Sequence, residues 1–264
     1  MRQMPGHTAR LLLAALFVLA VAGASPAAER RLDPAVAESL ATQTDDPLVA
    51  ADLYNDAWLN RKAIEVLEAS GAEDAETLWR LARSHINLGE TLPDDEALPL
   101  YLQARKEAER AVQLDPNSPD AHLSLAIALG REALFRGVFK SLGLVKGVRR
   151  EAHLAAAQGD SIPAAWYVLG RTHKKLIEKP AIIRKPLGIG WAKRDSVRIY
   201  FDKALEVSHG NMIQCRVEYA EFLLDRKEED RAREMLEAAL ALPLRDEQDV
   251  PARERAEKML EELK

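Results

Sequence analysis

Small and apolar residues recur at helical spacing along most of the chain, in runs broken by short polar turns. The stretch from Ala104 to His122, ARKEAERAVQLDPNSPDAH, shows the unit most clearly. Ala104, Ala108 and Ala111 lie three and four residues apart, on one face of a helix. Asp115-Pro116-Asn117-Ser118-Pro119 follows. A proline cannot continue the helix, and Asn117 or Ser118 can cap the next one. The unit reads helix, tight turn, helix, and the small residues let neighbouring helices approach closely.

The unit repeats. Copies align on Leu78, His122, Trp166 and Cys215, spaced by 44, 44 and 49 residues. Eleven residues before the last three lie Ala111, Ala155 and Ala204, and seven before those lie Ala104, Val148 and Val197. Three and four residues after the alignment point come Leu81-Ala82, Leu125-Ala126 and Leu169-Gly170, but Glu218-Tyr219 in the last copy.

The pattern predicts a helix from Pro34 and a degenerate first pair over Pro47–Ser70, turning between Asn55 and Asn60. Next come helices over Ala75–Gly89 and Leu98–Leu114, with a loop at Glu90–Ala97. Helices over Ala121–Leu134 and Val148–Gln158 are separated by an insert, Phe135–Lys146. A helix over Ala164–Leu176 is followed by EKPAIIRKPLGIG, read as a loop from its prolines and glycines. Asp195 is the expected cap of a helix running to Val207. Ile213–Leu224 and Asp230–Leu242 form the last pair. A charged helix from Asp249 to Lys264, with Pro251 at its first position, closes the stack as a polar cap. The two inserts should lie side by side, with Leu142, Leu144, Ile182, Ile183 and Trp191 covering one another.

These features resemble the tetratricopeptide repeat, whose unit is about 34 residues; the extra residues here fall between the two helices of a pair. The motifs ALGREALFRGVFKSLGLVKGVRREAHLAAAQGD, AWYVLGRTHKKL and SVRIYFDKALEV resemble the regulator of microtubule dynamics family and its bacterial relatives, over roughly Leu48–Leu263. The resemblance implies an all-α, right-handed solenoid of tetratricopeptide-like helix pairs with long inserts and a C-terminal capping helix.

Residues 1–27 read as a signal peptide and 28–264 as the repeat domain. Arg2 and Arg10 give a positive start, and Leu11–Ala22 is an apolar run too short for a comfortable membrane span. The expected cut follows Ala27, which makes the protein exported and periplasmic; an uncleaved membrane anchor is the alternative. Cys215, the one cysteine, excludes an internal disulfide and reads as a buried thiol. With five Tyr and five Phe, stacking on nucleic acid is not expected.

Charge is uneven. From Arg131 to Arg194 fourteen Lys or Arg face four Asp or Glu, a net +10 in a chain of −5. A basic middle between acidic ends can steer acidic partners.

No phosphate loop, dinucleotide fingerprint, zinc-protease motif or nucleophile elbow is present, so neither enzyme activity nor a metal or cofactor is expected. His85 and His173 share a repeat position that stacking would hold apart, which argues against a shared metal. What remains is the surface of the first helices of each pair, which line the concave side in tetratricopeptide-like stacks. Outward positions there are Trp79, Arg83, Asn87, Ile127, Arg131, Tyr167, Arg171, Lys174, Lys175 and Arg216. They suggest a basic groove for a protein or acidic peptide, its carboxylates met by Arg forks and its apolar groups by Trp79 and Tyr167. Arg83 and Arg171 could instead bridge to acidic side chains of adjacent helices. The alternative function is a peripheral membrane or envelope-polymer binder using the basic middle and the apolar inserts Leu134–Val145 and Ala181–Trp191. The family name implies microtubule-linked roles for relatives, which an exported chain could not share.

Overall fold

The structure is a computed structural model that describes residues 31–137, 140–158 and 162–263. The expected signal segment and cleavage point lie outside the described residues. Those described form thirteen helices and no strand.

A short α1 (Pro34–Ala41) precedes the first pair, α2 (Pro47–Asp56) and α3 (Asn60–Ser70). Asp33 and Asp46 cap α1 and α2 by accepting backbone N–H bonds, each with a proline at the helix start. The next pairs are α4 (Ala75–Glu90) with α5 (Asp94–Leu114) and α6 (Pro119–Arg136) with α7 (Leu142–Gln158). Then α8 (Pro163–Ile177) packs on α10 (Arg194–Val207), with the single turn α9 (Ala181–Arg184) between them. The last pair is α11 (Ile213–Leu224) with α12 (Glu229–Leu240), and α13 (Asp249–Glu262) closes the stack. Each second helix also packs on the first helix of the following unit, and α2, α4, α6, α8, α11 and α13 contact one another in succession. They form the inner layer of a solenoid.

The alanine positions are the stacking positions. Ala104, Ala108, Ala111, Ala155 and Ala204 are fully buried, as is Cys215, whose burial holds the thiol well above its ordinary pKa. A Cβ on Gly170 would lie 2.5 Å from Phe201 Cδ1, so only glycine lets α8 sit this close to α10. Gly147 gives α7 the same freedom against Leu129 of α6, at 2.9 Å. Buried histidines tie helices within a pair: His85 Nδ1 lies 2.9 Å from Glu107, and His122 Nδ1 lies 2.6 Å from Glu151. His173, at the His85 position, has another role. Its Nδ1 accepts the Lys193 backbone N–H at 3.1 Å, which requires an unprotonated nitrogen, and burial brings its pKa down to about 4.

Four local expectations need correction. α5 begins at Asp94 rather than Leu98, because Asp94, Asp95 and Glu96 suit the positive start of a helix. α7 begins at Leu142, so half of the expected insert is helix despite Gly143 and Gly147. Lys193, not Asp195, is the cap residue of α10, and Asp195 sits in its first turn. Pro251 stands at the third position of α13, not the first. The capping role of α13 holds: Ala252 and Ala256 are buried against α11 and α12, with Met259, Leu260 and Leu263 packed alongside.

Candidate functional site: the concave channel

The inner helices enclose a channel of about 420 Å³. Its apolar floor comes from Ile86 on α4, Ile127 on α6 and Val168 on α8. Its polar wall is a chain of alternating charges. Arg131 pairs with Glu90 across the α4–α6 contact. One turn along the stack, Arg171 Nε lies 2.9 Å from Glu218, and Lys174 bridges Glu218 at 3.5 Å and Glu221 at 2.5 Å. The Tyr167 hydroxyl donates to Glu218 at 3.1 Å. Burial alone would raise the Glu218 carboxyl, but Arg171, Lys174 and Tyr167 together bring it below its ordinary pKa. The same burial and the Glu218 charge push the Tyr167 phenol well up, so it stays a hydrogen-bond donor.

The chain itself crosses this channel. The α12–α13 linker, residues 241–248, runs over the inner face and reaches the opposite end of the solenoid. Asn60 Nδ2 donates to Glu247 at 2.6 Å, and Gln248 Nε2 donates to the Glu90 carbonyl at 3.4 Å. Asp246 hangs into the channel towards Arg131 and Glu90. Desolvation raises the carboxyl of Glu90 and that of Asp246, which keeps part of its side chain in solvent, and burial lifts Glu247 to about 7.

Besides Ile127, which lies in the floor, the nine other residues expected at the groove divide into two groups. Asn87, Arg131, Tyr167, Arg171, Lys174 and Lys175 line the channel, the last pairing with Glu178 at 3.0 Å. Trp79, Arg83 and Arg216 do not. Trp79 is only 7% exposed, packed on Ala111 and Ala121 under the Arg80 and Arg83 guanidinium groups. Arg83 bridges to Asp52 of α2 at 2.5 Å and does not line the channel. Arg216 folds back on the Gly210 carbonyl at 2.9 Å and the Met235 sulfur at 3.7 Å. Tyr167 is buried as well, so no exposed aromatic pair lines the groove.

The expected basic character also changes. Four basic and five acidic side chains line the channel, so its cations are balanced from within. The bridging alternative describes both Arg83 and Arg171. Sequence reasoning missed Glu90, Glu218, Glu221, Asp246 and Gln248. One signal was visible: Glu218 breaks the apolar–small pair that every earlier copy carries, and that carboxylate is the partner of Arg171. Asp246 left no signal, because it stands more than a hundred residues from Arg131 and Glu90, which it faces. Among the described residues no group of three or more His, Cys, Asp or Glu is placed to hold a metal ion.

Stacked helix pairs, a concave channel and a capping helix define a tetratricopeptide-like helical solenoid. The family model for regulator of microtubule dynamics protein 1-3 matches residues 48–264, and the chain belongs to that family. A thermophilic TPR protein of Thermus thermophilus has the same fold, with 20% identity, covering 86% of this chain and 98% of its own, at a TM-score of 0.54. A monomeric IFIT1 mutant with Gppp-AAAA shares 14% identity over 85% of this chain and 62% of its own, at a TM-score of 0.43, too loose to carry an argument. No curated protein matches the chain.

Proposed function

We propose that the protein is a non-enzymatic scaffold whose concave channel holds an extended segment of a partner protein. The observation that carries this reading is the crossing linker: a peptide already lies along the channel, with a carboxylate facing Arg131. An acidic side chain of the partner takes the place of Asp246, and the floor of Ile86, Ile127 and Val168 accepts its apolar neighbours. The preferred ligand is thus a peptide with a carboxylate beside aliphatic residues. A purely acidic one meets Glu90, Glu218 and Glu221 as well as the cations. The leader-like start of the chain supports a place for this activity in the cell envelope.

The test is a photo-crosslinking residue at Thr172, inside the channel, with a control at exposed Lys106 on α5. Cross-linked polypeptide from envelope extract is expected at Thr172 only. Equal capture at both positions, or none at Thr172, assigns the binding to another surface.

A further inference from the structure

The net positive charge of the central region resides in two segments. Residues 136–150 and 179–194 carry five Arg or Lys each and no Asp or Glu. The fold joins them. Val145 of α7 packs with Leu176, Ile189 and Ala192, and Leu142, Leu144, Leu187 and Trp191 close around this cluster. Arg149 lies 4.5 Å over the Trp191 ring. Arg184 is buried and donates to the carbonyls of Lys179 at 2.8 Å and Ala192 at 2.6 Å, tying the α8–α10 insert into a closed loop. Lys146 reaches Gly188 of that loop, where a Cβ would lie 2.9 Å from its Nζ. The expectation that the inserts cover one another therefore holds for Leu142, Leu144 and Trp191 and fails for two residues. Ile182 is 81% exposed and Ile183 47%, both on the α9 turn that the Arg184 clamp holds outward.

The two segments also carry Lys140, Lys146, Lys179, Lys185, Lys193 and Arg194. All six are exposed, and none is ion-paired among the described residues. The other four cations are engaged: Arg149 on Trp191, Arg184 on carbonyls, Arg136 on Glu132 and Arg150 on Glu151. The lobe thus exposes two aliphatic side chains and six cations that have no ion-pair partner among the described residues.

We propose that this lobe docks the protein on an anionic lipid surface. Ile182 and Ile183 enter the boundary between headgroups and acyl chains, and the lysines meet lipid phosphates. A soluble polyanion would engage the lysines and leave Ile182 exposed. Nucleic acid would call for outward aromatic or Arg planes, and Trp191 is already covered. Lysine is a point charge without the bidentate geometry of arginine, which suits a fluid, laterally mobile surface. The lobe works independently of the channel, so failure of either reading leaves the other standing.

The test is co-sedimentation of the full chain with vesicles of phosphatidylcholine alone or mixed with phosphatidylglycerol. Three proteins are compared: wild type, Ile182→Asp with Ile183→Asp, and Lys179→Glu with Lys185→Glu. The leader segment is common to all three, so the differences report the lobe. All four positions are exposed, and a thermal melt checks that the fold is kept. Wild type is expected to prefer the phosphatidylglycerol vesicles, and each double variant to bind them about tenfold more weakly or worse. Equal binding by all three proteins overturns the proposal, as does equal binding of wild type to both vesicle types. If only the lysine reversal weakens binding, the partner is a polyanion and the bilayer assignment fails.

Discussion

The channel wall and the insert lobe are both rich in cations, yet they treat charge in opposite ways. In the channel every arginine finds a carboxylate on the neighbouring inner helix: Arg131 with Glu90 and Arg171 with Glu218. In the lobe six cations stand without one among the described residues. The difference follows from where the residues come from. Inner helices stack in parallel register, so an acidic residue in one unit can be placed opposite a basic residue in the next. The two segments contain no acid of their own, and only Arg136 and Arg150 at their edges reach one, on Glu132 and Glu151. Pairing makes the channel wall part of the stability of the stack, whereas unpaired charge contributes little to folding and is free for a partner.

This contrast can be broken most directly at Glu218. Glu218→Ala leaves Arg171, Lys174 and the Tyr167 hydroxyl facing a buried gap, and should cost about 3–5 kcal/mol. Lys185→Ala in the lobe should fall within about 0.5 kcal/mol of wild type. Denaturant melts of both variants decide it; comparable losses would mean that the lobe also holds the fold together.

A smaller effect is expected at Gly170, where the helix that supplies Arg171 and Lys174 meets α10, the helix that follows the insert. Gly170→Leu must displace Phe201 and should cost about 1–3 kcal/mol through overpacking. An unchanged thermal midpoint would show that α8 and α10 are looser than their contact implies.

The smallest effect sharpens the channel side. The docked Glu247 carboxyl titrates near 7, against 4.5 for the free group. Docking of the linker therefore takes up a proton, is fully favoured below the free value, and weakens as pH rises through 7. Arg245, exposed on that linker, is a trypsin site. Relative to Glu247→Gln, wild-type cleavage there should be slower at about pH 6 than at about pH 8. A wild-type to variant ratio that is flat with pH would remove Glu247 as the sensor.

Helix order, the repeat register and the capping helix were legible because they rest on local spacing: alanines three and four residues apart, and prolines at turns. The site was legible in part. Asn87, Arg131, Tyr167, Arg171, Lys174 and Lys175 follow from which face a helix turns inward. Trp79 and Arg216 do not, because at an inner-helix position a one-residue step separates the channel from the seam between helices. Trp79 falls on the seam, where its large ring gains more by burial than by exposure.

The sequence by itself determined the architecture, the family resemblance and the uneven charge. Helical periodicity, turn chemistry and composition are local, and they survive in any arrangement of the chain. Only the tertiary structure decided which charges are free. The curvature of the stack carries the 241–248 linker across to Asn60, sets Asp246 before Arg131, and fuses two distant inserts around Val145 and Ile189. Each of these contacts joins residues far apart in sequence, and no spacing within a single helix encodes them.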